Sequence, residues 1–67
     1  MQVLQYNLAL KKALAERKMR QQELAKKTGI PAAYISRVIN GNMLLSRQRQ
    51  ALIAEVLDKD LIELFLE

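Results

Sequence analysis

The sequence contains no cysteine and no histidine, a single proline and two glycines. Without cysteine there is no disulfide to staple a small fold, and without cysteine or histidine no zinc site can form, so stability must come from packed helices. Thiol and imidazole chemistry and most metal chemistry are excluded with them, and no metal or other cofactor is expected. Long apolar runs are also missing. The longest stretch free of charged residues is Met1 to Leu10, well short of the roughly 20 apolar residues that span a bilayer, and it lacks a basic leader. The expectation is a cytoplasmic protein that keeps its first residues and has no membrane partner. Its 67 residues have room for one domain, 1–67, and a chain of this size buries only about 60% of its surface on folding. A deep pocket would leave little core, so neither an enzyme nor a small-molecule substrate is expected.

Charge is abundant but unevenly placed. Through Gln50, Lys11, Lys12, Arg17, Lys18, Arg20, Lys26, Lys27, Arg37, Arg47 and Arg49 oppose only Glu16 and Glu23, a net of +8. From Ala51 onward Lys59 faces Glu55, Asp58, Asp60, Glu63 and Glu67, a net of −4. A basic body with an acidic tail points to a polyanion at one face, although an ordinary solvated surface fits the charge count equally. Lys11, Lys12 and Lys18 read as such a solvated face. The carboxylates are scattered, with no oriented nucleophile beside them, which argues against a hydrolytic site.

Apolar residues recur at steps of three and four almost throughout and no strand alternates with period two, so the chain reads as all-α. Val3, Tyr6, Leu10 and Leu14 would line one face of a first helix ending near Lys18. Gln21 to Lys27 is a short second helix with Leu24 and Ala25 turned inward, closed by Gly29 in the left-handed conformation. Pro31 stands at or just before the first turn of a third helix, whose buried side is Ile35 and Val38 and which Asn40-Gly41 closes. Met43, Leu44 and Leu45 form an apolar linker expected to pack. Ser46 can cap a fourth helix with Ile53, Val56 and Leu57 inside, and Asp60 can cap a last one with Leu61, Leu64 and Phe65 inside. Ile62 and Leu66 fall off that last stripe.

Two short helices joined by a glycine turn, from Gln21 to Val38, have the spacing and residue sizes of a helix-turn-helix. Ala25 is small where the third helix crosses the second closely, and Leu24, Ile30, Ile35 and Val38 fill the wedge beneath both. The pattern Gln21-x-x-Leu24-Ala25-x-x-x-Gly29-Ile30, then Ile35-Ser36-Arg37-Val38-x-Asn40-Gly41, then Ile53-Ala54-x-x-Leu57 and Leu61-x-x-Leu64-Phe65 resembles the Cro and phage-repressor type of helix-turn-helix family over about Leu10 to Phe65. The resemblance implies a compact five-helix, lambda-repressor-like DNA-binding domain with its helix-turn-helix at helices 2 and 3. It also implies that the third helix lies in the major groove, with Ala32, Ala33, Ser36 and Arg37 at the base-reading positions. Arg37 could pair bidentately with guanine and Ser36 with several bases, whereas two alanine methyls can only touch thymine methyls. The family's phosphate contacts map onto Gln21 and Asn40. Arg20, Tyr34, Asn42, Arg47 and Arg49, near the same edge by charge or polarity, are further candidates. A homodimer on a two-fold operator is implied as well, and Ile62 and Leu66 are the apolar residues assigned to its interface.

The chain departs from the family in three places. Members often pair an Arg in the first helix with a Glu before the closing Asn-Gly, and the matching residues are Leu14 and Ile39. Their joint replacement fits an apolar contact in place of an ion pair. Pro31 stands where Ser or Thr commonly caps the third helix, and Asp58 replaces the usual Gly after the fourth. The function expected is a sequence-specific regulator binding double-stranded DNA, a small repressor acting at its operator in the nucleoid. The rival readings are a protein-interaction module with a protein partner, such as an antitoxin, that uses the helix-turn-helix as scaffold, and a low-specificity architectural DNA binder.

Overall fold

The computed structural model describes residues 6–65, and helices α1 (Leu8–Glu16), α2 (Gln21–Thr28), α3 (Ala32–Ile39), α4 (Arg47–Leu57) and α5 (Leu61–Phe65) follow one another along them with no strand. Where each begins and ends follows from local hydrogen bonding. The Asn7 side chain accepts from the Leu10 N–H at 2.9 Å, which fixes the start of α1 at Leu8 and leaves Tyr6 ahead of the helix. Tyr6 therefore does not belong to the expected stripe, whose described buried residues are Leu10, Ala13 and Leu14; Val3 lies outside the described residues. Tyr6 is exposed, with the Lys11 ammonium 5.6 Å from its ring centroid. The Tyr6 hydroxyl, as hydrogen-bond partner, raises the Lys11 pKa.

Helix α1 closes with Lys18 at φ 53°. There the Lys18 N–H donates to the Ala15 carbonyl at 3.0 Å and the Met19 N–H to that of Leu14 at 2.9 Å, the paired bonds of a left-handed helix stop. Asp58, at φ 54°, closes α4 in the same way, through its own N–H to Glu55 at 3.2 Å and that of Lys59 to Ala54 at 3.0 Å. The Asp in place of Gly thus occupies the left-handed region that Asp tolerates better than most residues. Ser46 caps α4 as expected, accepting from the Arg49 N–H at 3.3 Å. Asp60 stands immediately before α5, where its carbonyl accepts from the Leu64 N–H at 3.3 Å and its own N–H donates to the Glu63 carboxylate at 3.1 Å, one half of a capping box.

Leu10, Leu24, Ile30, Ile35, Ile53 and Leu57 are the largest fully buried side chains, and Ala13, Leu14, Val38, Ile39, Leu45, Ala54 and Leu64 complete one core. Ala54 joins Ile53 and Leu57 as a buried residue of α4, and Val56 is half-buried and packs against the same core. Leu44 does not pack and is 61% exposed, while its neighbours Met43 and Leu45 are half-buried and buried. This segment is not helical, and extended backbone sends successive side chains to opposite sides, so only alternate residues reach the core. Within this frame α2 packs on α3 and α4, α1 packs on α5 and α3, and α4 packs on α5.

Candidate nucleic-acid interface

The turn between α2 and α3 is held by three neighbouring residues. Gly29 adopts φ 78° and donates its N–H to the Ala25 carbonyl at 2.8 Å. A Cβ there would meet nothing within 4 Å, so glycine is required by backbone conformation and not by space. Thr28 donates its hydroxyl to the Leu24 carbonyl at 2.8 Å and accepts from the Ile30 N–H at 3.2 Å, steering Ile30 into the core. Pro31, at φ −56° and ψ 138°, is itself the cap residue, with Ala32 the first residue of α3. Its carbonyl accepts from Tyr34 at 2.9 Å and Ile35 at 3.2 Å. At the other end Gly41, at φ 80°, donates to Val38 at 3.1 Å and Asn42 donates to Arg37 at 2.8 Å. The third helix is therefore fixed at both ends.

On α3, Ile35, Val38 and Ile39 face the core. The opposite side carries the four candidate base readers: Ala33 and Arg37 are exposed, Ala32 and Ser36 half-buried. Positions 32, 33, 36 and 37 are spaced as neighbours on one helical face. Tyr34 is half-buried against the core, and the Arg49 guanidinium lies 5.5 Å from its ring centroid, a cation–π contact between the first turns of α4 and α3. Arg47, like Arg49, is exposed in that turn. Arg20 and Gln21, exposed at the start of α2, line the same recess as Leu14, Met19 and Ile39. The beginning of α2 thus meets the end of α3, where Asn40 and Asn42 are exposed. Arg20 supplies no side-chain cap to α2, which leaves the first-turn N–H groups open to an acceptor from outside the chain.

Two exposed ion pairs lie away from this face. Asp58 pairs with Arg17 at 3.8 Å and Glu16 with Lys59 at 3.4 Å, joining the ends of α1 and α4. Leu14 and Ile39, the residues that stand where the family often has an ion pair, are buried and border that recess. Ile62 projects from α5 at 66% exposure; Leu66 lies outside the described residues. No group of three or more His, Cys, Asp or Glu side chains that could hold a metal ion occurs among the described residues, and none of their helices is long and apolar enough to cross a membrane. Thr28 and Asn7 are the structural determinants that periodicity alone passes over. Thr28 could have been found from its place one residue before the turn glycine, and Asn7 from its place three residues before Leu10, the first buried position.

A short helix presented by a second helix across a glycine turn, its outer face bordered by arginines, is how DNA-binding regulators of the helix-turn-helix class offer a probe to the major groove. The chain belongs to the helix-turn-helix family, of the phage-repressor (XRE) type, which it matches over residues 10–64. It is similar to the restriction-modification controller protein C.AhdI from Aeromonas hydrophila, known from a high-resolution crystal structure. The two share 25% identity over 90% of this chain and 91% of that one, with a TM-score of 0.82. No curated protein matches the chain. Family and neighbour together make it a DNA-binding transcription regulator.

Proposed function

We propose that the chain acts as one domain and binds a palindromic operator as a homodimer, with α3 in the major groove, to repress transcription in the bacterial or phage-infected cytoplasm. The observation that carries this reading is the outward face of α3, where Ala32, Ala33, Ser36 and Arg37 lie opposite the buried Ile35, Val38 and Ile39. In this arrangement Arg37 reads guanine and Ser36 adds a hydrogen bond, while Ala32 and Ala33 let the backbone approach thymine methyls. Gln21 and Asn40 hold the phosphate backbone at the two ends of the α2–α3 unit, supported by Arg20, Asn42, Arg47 and Arg49. Tyr34 offers its hydroxyl to the same backbone while its ring carries Arg49. Ile62, exposed on α5, belongs to the surface between the two copies. The likeness to a controller protein supports a regulator without a catalytic step.

Selection of bound duplexes from a random pool at near-physiological salt, with the native chain and Arg37→Ala, tests the reading. The expected result is an enriched palindrome whose guanine preference disappears in the variant. Weak, salt-sensitive binding without enrichment in both would overturn it in favour of an architectural or protein-binding role.

A further inference from the structure

Asn7 joins three helices through one residue. Its backbone N–H donates to the Ile39 carbonyl, the last of α3, at 2.7 Å. Its side-chain oxygen caps α1 through the Leu10 N–H at 2.9 Å, and its Nδ2 donates to the Leu64 carbonyl in α5 at 2.8 Å across 57 residues of sequence. Leu10 can only donate and the Leu64 carbonyl can only accept, so the amide orientation is dictated by its partners. Two of the three partners are carbonyls at helix C-termini, which have no N–H donor within their own helices. No other common side chain does all of this from one position: Asp caps but cannot donate, Ser caps but is too short to reach Leu64, and Ala does neither.

We propose that Asn7 is a positioning residue for operator recognition, locking the end of α3 and the C-terminal helix α5 into one fixed relation. It touches no base. This role rests on the dimeric reading above, because the bond to Leu64 matters for DNA only if α5 carries the contact between copies. In that case the distance and angle between two α3 helices are transmitted through α5, α1 and Asn7. Loosening the Leu64 bond would then leave each α3 able to read its own half-site but blur the spacing between half-sites.

The test compares the native chain with Asn7→Ser and Asn7→Asp, both of which keep an acceptor for the Leu10 N–H and lose the donor to Leu64. Each is assayed on a single half-site duplex and on whole operators with spacers lengthened or shortened by one base pair. The expected result is half-site affinity within about twofold of native, whole-site affinity reduced by up to about tenfold, the scale of one hydrogen bond, and discrimination between spacers reduced. Asn7→Ser and Asn7→Asp cap about equally well, and Asn7→Asp sets a carboxylate oxygen against the Leu64 carbonyl, so it should loosen that contact more than Asn7→Ser; circular dichroism at the assay temperature verifies that each variant compared is folded. Equal losses on half-sites and whole sites, or unchanged spacer discrimination, would overturn the proposal while leaving the dimeric reading intact. A native chain that binds whole sites no better than half-sites would remove the dimeric reading and this proposal with it.

Discussion

Helices α1 and α4 begin on Asn7 and Ser46, whose side chains accept from N–H groups three residues further on, whereas α2 and α3 begin on Arg20 and Pro31, which provide no side-chain acceptor. The supporting helices are thus closed upon themselves, and the two helices of the helix-turn-helix are not. An uncapped start forgoes about 0.5–2 kcal/mol relative to Ser, Thr, Asn or Asp at the same place. At α2 the open donors and the adjacent arginine are what a DNA phosphate would engage. On the proposed reading, stability and binding are drawn from separate regions of a very small molecule, with the core beneath shared by both.

The sharpest way to break the comparison is at that shared core. Leu24 is fully buried under both regions, and Leu24→Ala should cost about 2–5 kcal/mol, enough to unfold much of the population in a thermal melt. Next in size is Arg37→Ala, which should cost about 1–3 kcal/mol of operator affinity and relax a guanine position while leaving the melting temperature within error, since the side chain is exposed. Arg20→Ser addresses the comparison directly. Supplying the missing cap should stabilise the fold by about 1 kcal/mol, or about 4–8 °C in Tm, while weakening DNA binding and lowering its salt slope by about one. A variant that gained stability without losing affinity would show that the open start of α2 has no part in binding.

The smallest effects come from two residues in the same left-handed conformation. Gly29→Ala should destabilise by about 1 kcal/mol from backbone strain alone, because the space beside Gly29 is empty. Lys18→Gly, at φ 53°, should stabilise by up to about 1 kcal/mol as that strain is relieved, offset by the flexibility glycine adds to the unfolded chain. Chemical denaturation of both variants measures the pair.

Much of this was legible in the residues. The glycine at 29, the Ser46 cap, the inward set Leu24, Ile35, Val38, Ile53 and Leu57, and the outward run through Arg37 all follow from signals exchanged within four residues. The outward side of α3 was legible for the same reason, since the face of one short helix is set by its own periodicity, whereas the base-reading and phosphate-holding roles proposed for it came from the family resemblance. The start of the first helix was misjudged at Tyr6, because apolar spacing continued through it past the asparagine that caps α1. Leu44 was misjudged because an apolar residue in an extended segment has a side as well as a hydropathy. The cation–π contact of Arg49 with Tyr34 joins residues on different helices, and no local pattern encodes it.

By itself, then, the sequence determined the helices of the helix-turn-helix, the turn between them and which residues of α3 face outward, because these depend on backbone propensity and spacing over one or two turns. Only the tertiary structure decided that Asn7, the cap of α1, also ties the Ile39 carbonyl of α3 and the Leu64 carbonyl of α5 together. These bonds satisfy polar groups at helix ends with partners brought near by packing, and such partners have no signature in the neighbouring residues.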